Sequence, residues 1–225
     1  MDHTIDYRPA FALLTVSLDE GESIRSEAGS MVSFADGIDI ETNANGGLFG
    51  SLKRSVLGGE SFFQNTFHAR TAGDVSLAPP LPGDIVHQRL EDETMYVQSG
   101  SYLASDVALD LDTSFGGAKT FFGSEGLFLL KLEGTGDSFL SSYGAIHEVE
   151  LSDGEHYTVD TGHIVAFDGT ATFSVERVGG LKSTLFSGEG LVCTFTGPGT
   201  VWLQSRSMDS FLSWLIPKLP STNTA

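Results

Sequence analysis

A stretch near the N-terminus recurs in the last third of the chain, and this internal repeat is the feature that most constrains the fold. Residues 18–34 align without a gap onto residues 151–167. Self-similarity of this kind is the signature of a fold built from repeated units. The coinciding pairs are Leu18/Leu151, Gly21/Gly154, Glu22/Glu155, Gly29/Gly162, Val32/Val165 and Phe34/Phe167.

A weaker middle copy occupies residues 92–103. It places Gly100 roughly midway between Gly29 and Gly162. We predict that these three glycines form structural turns with positive φ, a conformation that glycine adopts without steric cost. An acidic glycine turn followed by apolar residues also recurs three times, at 59–63, 124–128 and 188–192.

The composition agrees with many short strands. Glycine makes up 27 of the 225 residues, and 40% of the chain is apolar. Segments of period-2 apolar alternation separated by glycine turns predict an all-β fold. We expect three repeated small β-sandwich or β-roll units in a pseudo-threefold arrangement, each covering the edge strands of its neighbour. The predicted boundaries are 1–84, 85–150 and 151–206, followed by a C-terminal helix and tail at 207–225.

Two segments depart from the repeat. Residues 43–59 form a glycine-bounded insertion that carries Lys53 and Arg54, two adjacent cations in an acidic chain. Such a pair can meet a phosphate or an acidic partner, or serve only for solubility. Residues 207–216 have apolar residues at i, i+3, i+4 and i+7 and predict an amphipathic helix capped by Ser207 and ended by Pro217.

The predicted helix offers a contact surface formed by Phe211, Trp214 and Leu215. This surface can dock on the body of the chain, on another subunit or on a membrane. Lys218 is the single nearby base, whereas anionic lipids favour several, so peripheral membrane contact is disfavoured. We favour docking within a homo-oligomer, with a further protein partner as a second possibility.

Charge disfavours a nucleic-acid partner. The chain has 30 acidic and 12 basic residues, for a net charge of −18, whereas phosphate neutralisation needs clustered Lys and Arg. Acids spread along the whole chain repel one another strongly unless molar salt screens them. We therefore predict the cytoplasm of a halophilic archaeon, against the alternative of an ordinary acidic protein. The N-terminus lacks a signal-peptide pattern, and no apolar run approaches the ~20 residues of a membrane span.

Candidate catalytic and metal-binding residues are sparse. His156, Asp160 and His163 suggest a metal site, but four strand residues separate the first two by about 13 Å. A site would need ligands from other strands, such as His147, His87 or His68. The single cysteine, Cys193, lies in an apolar strand, where a thiol is typically an inert core residue. We predict no catalytic residue, no metal ligand and no cofactor.

Several ordered motifs resemble the altered inheritance of mitochondria 24 family, which includes many uncharacterised bacterial and archaeal proteins. The resemblance covers residues 3–208 and implies a fold similar to that of the tryptophan RNA-binding attenuation protein, related to the double-stranded β-helix. It implies no catalytic residues. The motifs lie at 121–128, 134–136, 142–146, 159–167 and 197–206.

Three functional hypotheses follow. The first is a non-enzymatic, oligomeric β-protein of unknown molecular function that acts as an assembly or interaction scaffold through residues 43–59 and 207–216. The second is a cupin-like metal-dependent enzyme or small-molecule sensor that uses His163 and neighbouring histidines. The third, an RNA-binding regulator, lacks the basic surface that it needs.

Overall fold

A computed structural model describes residues 1–44, 56–57, 60–61, 63–112, 128–177 and 191–220. The chain is predominantly β with one short C-terminal helix, which confirms the predicted all-β class. Most of the 43–59 insertion, including Lys53 and Arg54, lies outside the described residues. The first strands are β1 (Asp2–Asp6), β2 (Leu13–Leu18), β3 (Ser23–Glu27), β4 (Met31–Phe34), β5 (Ile38–Ala44), β6 (Val56–Leu57), β7 (Glu60–Ser61), β8 (Phe63–Ala69) and β9 (Gly73–Leu77).

The remaining elements run from the long strand β10 to the C-terminal helix. These are β10 (Ile85–Gln98), β11 (Tyr102–Asp106), β12 (Asp110–Asp112), β13 (Leu129–Ser141), β14 (Ile146–Leu151), β15 (His156–Asp160), β16 (Ile164–Asp168), β17 (Thr172–Arg177), β18 (Leu191–Thr196), β19 (Gly199–Gln204) and α1 (Met208–Leu215).

Antiparallel strand pairs build the described sheets. A four-stranded sheet has the order β1-β2-β9-β4, and a three-stranded sheet has the order β15-β18-β17. The largest sheet runs β14-β19-β16-β10-β13-β11-β3-β8-β5, with β12 paired to β13. Among the described strands, β6 and β7 pair only with each other. The long strands β10 and β13 pair along their whole length and form the centre of the largest sheet.

Alternating apolar residues place one face of each strand in the core. In β2, Leu14, Val16 and Leu18 are buried while the residues between them are less so, as the period-2 geometry of a strand requires. The buried side chains form three hydrophobic clusters within the described residues. Each cluster also takes in residues from a neighbouring part of the chain; Phe139 of β13, for example, packs into the cluster around β2.

The glycine turns are partly as predicted. Gly29 has φ +94°, which confirms the left-handed conformation expected there. Gly100 and Gly162 do not have positive φ, so that prediction was wrong for both; they lie in 3₁₀ turns at 99–101 and 161–163. Space constrains Gly162 instead, because a Cβ there would lie 3.2 Å from both Asp160 Oδ1 and Ser207 Cβ.

Candidate interaction surfaces

The C-terminal helix α1 begins as the sequence predicts. The Ser207 hydroxyl accepts a hydrogen bond from the Ser210 backbone N–H at 3.2 Å, which satisfies a donor of the first turn. The α-helix ends at Leu215, and a 3₁₀ turn over Ile216–Lys218 contains Pro217. Ser207 itself is buried, so the cap also attaches the start of the helix to the body.

None of the side chains of α1 is buried. The Phe211 ring contacts the Tyr143 ring edge-on, with ring centroids 6.1 Å apart, and so joins the helix to the β-sheet part of the chain. Trp214 is 58% exposed, and Lys218 Nζ lies 4.9 Å from the centre of its ring. Leu215, the third residue of the predicted surface, is half-buried. The exposed apolar face consists of Phe211, Leu212, Trp214, Ile216 and Leu219.

The structure does not bring together the histidines that were weighed as candidate metal ligands. His163 Nδ1 donates to the Gln204 carbonyl oxygen at 2.7 Å, and His156 Nδ1 lies 2.9 Å from Thr196 Oγ1. His68 faces Ser23, with Nδ1 2.8 Å from its hydroxyl. In the part of the chain that the structure describes, no three His, Cys, Asp or Glu side chains are arranged to hold a metal ion.

A polar cluster around Asp137 was not anticipated from the sequence. Asp137, 6% exposed, lies 2.9 Å from His87 Nε2 and 3.1 Å from Arg89 Nη1. The N-terminal ammonium is 3.9 Å from the same carboxylate. The His3 ring packs 4.3 Å from that of His87. The cluster therefore attaches the edge strand β1 to β10 and β13.

The charges of this cluster favour an ionised carboxylate. Burial by itself raises the pKa of Asp137, but the hydrogen bond from His87 and the charge and hydrogen bond of Arg89 outweigh burial, and the pKa lies below its ordinary value. The pairing of β10 with β13 places His87 opposite Phe139 and Arg89 opposite Asp137. The register of these two strands is therefore the feature that would have predicted the cluster. That register joins residues far apart in the chain and is not visible as a local motif.

Cys193 is a core residue, as predicted. It is fully buried in β18 opposite Val159 and Val175. Burial raises the pKa of its thiol to about 12, so the nucleophilic thiolate is a minor species at neutral pH.

Comparison with known proteins adds to this geometry. Residues 3–206 match the family described as mitochondrial biogenesis AIM24. The chain belongs to the AIM24 family. An uncharacterised protein of Streptococcus pyogenes serotype M6 is 31% identical to it over 231 residues, covering 99% of this chain and 93% of that protein. A crystal structure of a Streptococcus pyogenes protein from a structural genomics consortium superposes with a TM-score of 0.81 at 31% identity, covering 97% of this chain and 99% of that one.

The AIM24 match confirms the resemblance that the motifs indicated, with nearly the same bounds. Residues 207–220, including α1, lie beyond the matched region. None of the helices that the structure describes is long and apolar enough to cross a membrane.

A second exposed apolar area lies on the loop between β1 and β2 of this AIM24 chain. Tyr7 and Phe11 are 73% and 74% exposed. Arg8 fixes the loop, because its Nε and Nη2 donate to the two carboxylate oxygens of the buried Asp84 at 2.7 and 3.0 Å. Such a bidentate ion pair restricts the backbone geometry of the loop. The ion pair therefore holds the loop that presents the rings of Tyr7 and Phe11 at the surface.

Proposed function

We propose that this chain is a non-enzymatic, homo-oligomeric interaction scaffold of the cytoplasm. The observation that carries the proposal is α1, a helix anchored at its capped end whose large apolar side chains remain exposed. Several large apolar side chains exposed on one short helix are typical of a contact site. The occupant that we propose for it is another copy of the chain.

We further propose that the scaffold is built from three units of one plan. The pairings β4–β9, β11–β13 and β16–β19 each contain a register shift. The shifts follow Met31, Tyr102 and Ile164, each of which lies two positions after one of the three repeated glycines. Register shifts at the same place in each copy of the repeat support a repeated unit.

The turns before β3 and β15 support the same plan. Gly21 and Gly154 both have positive φ. Glu22 and Glu155 each accept a hydrogen bond through a carboxylate oxygen from the backbone N–H three residues earlier, at 2.9 and 3.0 Å. Since β14 pairs with β19 as β2 pairs with β9, this plan favours a third unit that begins near β14, slightly before position 151.

A first experiment tests the helix surface. Light scattering of the native protein in molar salt should give a mass that is a multiple of 24.0 kDa. Phe211→Ser combined with Trp214→Ser should lower that mass, because the apolar contact is lost. Ser213→Ala, an exposed position on the same helix, is the control and should leave the mass unchanged. A native mass equal to that of a single chain would contradict the proposed function.

The acidic charge supports a salt-rich cytoplasm. With a net charge of −18, repulsion acts over a Debye length of about 10 Å in 0.1 M salt but only about 3 Å in 1 M. We expect the thermal unfolding midpoint to fall as KCl is lowered from molar to ~0.1 M. Circular dichroism measures this midpoint. Equal midpoints at both concentrations would contradict the halophilic interpretation.

A further inference from the structure

Strand β4 is an edge strand with an unusual composition. It reads Met31-Val32-Ser33-Phe34, without a charged residue or proline, and all four residues are exposed. It pairs with β9 on one side and with no described strand on the other. Natural edge strands are normally protected by charge, proline or a covering element, so an uncharged apolar edge favours pairing with a further strand.

The same position in the other two parts of the chain is covered. Strand β11 pairs with β3 on its second side, and β16 pairs with the end of β10. The first four residues of both strands are buried. The exposure of β4 thus coincides with the absence of a second neighbour among the described strands, although its sequence is as apolar as theirs.

The register of the two covered contacts is the same when it is expressed in positions of the repeat. Ser26 pairs with Ala104, and Val97 pairs with Ala166. Counting from the repeated glycine of each copy, Ser26 and Val97 occupy one equivalent position, and Ala104 and Ala166 occupy another. Both contacts therefore join the same two positions of neighbouring copies.

One combination of these positions remains unused. The first position is occupied in the third copy by Val159 of β15, and the second is occupied in the first copy by Ser33 of β4. The same register would therefore pair Val159 with Ser33, and the neighbouring Thr158 with Phe34.

Both strands of this combination are free at one side. Strand β15 lies at the edge of the β15-β18-β17 sheet, and β4 lies at the edge of the β1-β2-β9-β4 sheet. They are not paired with each other among the described strands. Among the described strands, the contact that joins the first part to the second, and the second to the third, therefore has no partner at β4 or at β15.

We infer that β4 of one copy pairs antiparallel with β15 of a second copy, in the register Ser33 to Val159. This contact joins the three-stranded and four-stranded sheets into one continuous sheet across two molecules. Because the two surfaces differ, the contact is heterologous and repeats head to tail, giving a closed ring or a filament. The inference rests on the proposed homo-oligomeric scaffold and adds a second contact surface to that of α1.

Disulfide formation tests the register. In a Cys193→Ala background, the double variant Phe34→Cys/Thr158→Cys places thiols at positions that would face each other between copies. Directly opposite residues of antiparallel strands have Cα atoms about 4.5–5.5 Å apart, within the range that a disulfide spans. Mild oxidation should yield dimers and higher multiples on a non-reducing gel. The control Ile40→Cys/Thr158→Cys moves one thiol to the exposed edge strand β5. It should run as a single chain on the same non-reducing gel.

Four results would overturn the inference. A disulfide within one chain would show that β4 and β15 meet inside the molecule. Equal cross-linking of the test and control variants would show that the disulfides form by random collision between molecules and not through the proposed strand pairing. If neither variant cross-links while the native protein is still oligomeric by light scattering, the copies assemble through another surface. The proposed function would then still hold. A native mass equal to that of a single chain would instead remove both proposals.

A charged variant gives an independent measurement. Phe34→Lys places an ammonium on the edge, where it blocks strand addition. Because the Phe34 ring also packs 6.1 Å from that of the buried Phe67, circular dichroism first establishes that the variant is folded. We expect a mass below that of the native protein, with circular dichroism unchanged. A folded variant that keeps the native mass would contradict the inference.

Discussion

Replacing Phe167 by alanine is expected to lower the free energy of unfolding by about 3–5 kcal/mol, the usual cost of removing a buried phenylalanine ring. Phe167 is fully buried in β16. Its ring centroid lies 5.0 Å from that of Phe195, 5.1 Å from that of Phe173 and 5.2 Å from that of Tyr96. The ring therefore joins β10 to β17 and β18, and its loss leaves a cavity between two sheets.

Urea unfolding in molar KCl, followed by tryptophan fluorescence, measures this loss. Phe11→Ala is the matched control, because Phe11 is 74% exposed and surface substitutions typically change stability by less than about 0.5 kcal/mol. Similar losses for the two variants would show that the aromatic cluster does not carry the stability that its packing indicates.

Glu27→Gln is expected to stabilise the protein above pH 7 and to have little effect below pH 4.5. Burial raises the pKa of the Glu27 carboxyl from 4.5 to about 7. Between these values the unfolded chain has lost this proton while the folded chain retains it. The contribution of neutral Glu27 is therefore complete below pH 4.5 and is lost as the pH rises through 7.

The size of this effect follows from the shift. One pKa unit corresponds to about 1.36 kcal/mol, so the rise in the pKa of Glu27 amounts to about 3 kcal/mol. Glutamine has nearly the same shape as protonated glutamate and carries no charge to desolvate, so the variant avoids the penalty. Tyr102, whose pKa burial raises to about 12, stays neutral throughout this range.

Urea unfolding of both proteins from pH 4 to pH 8 tests this prediction. Burial also raises the pKa of Asp168, so the difference between variant and native protein, rather than the native profile, isolates Glu27. Glu20→Gln, at an exposed position in the neighbouring turn, is the control and should run parallel to the native protein. A pH-independent difference for Glu27→Gln would contradict the assignment.

Local features of this chain were predictable from the sequence because they depend on residues close together. The cap at Ser207 and the spacing of Met208, Phe211, Leu212 and Leu215 predicted α1 nearly to its last residue. The apolar residues that end the recurring segments 59–63, 124–128 and 188–192 lie in or directly before the strands β8, β13 and β18. A family resemblance carried by several ordered motifs predicted the AIM24 match over almost the same residues.

Neighbours distant in the chain were not predictable. The ion-pair cluster of Asp137 with His87 and Arg89 depends on how the two long strands β10 and β13 pair. Gly162 resembles Gly29 in sequence, yet its space is limited by Asp160 and by Ser207, and Ser207 packs against it from outside the aligned segment.

The sequence by itself determined the all-β class, the turns at Gly21, Gly29 and Gly154, the apolar alternation and the C-terminal helix, because each is encoded by the backbone preferences and periodicity of neighbouring residues. Only the tertiary structure decided which of the similar strands β4, β11 and β16 is covered. All three are rich in apolar residues, but burial depends on whether a strand from elsewhere supplies hydrogen bonds to the second side. For β11 and β16 the chain supplies that strand itself, whereas β4 keeps an open edge among the described strands.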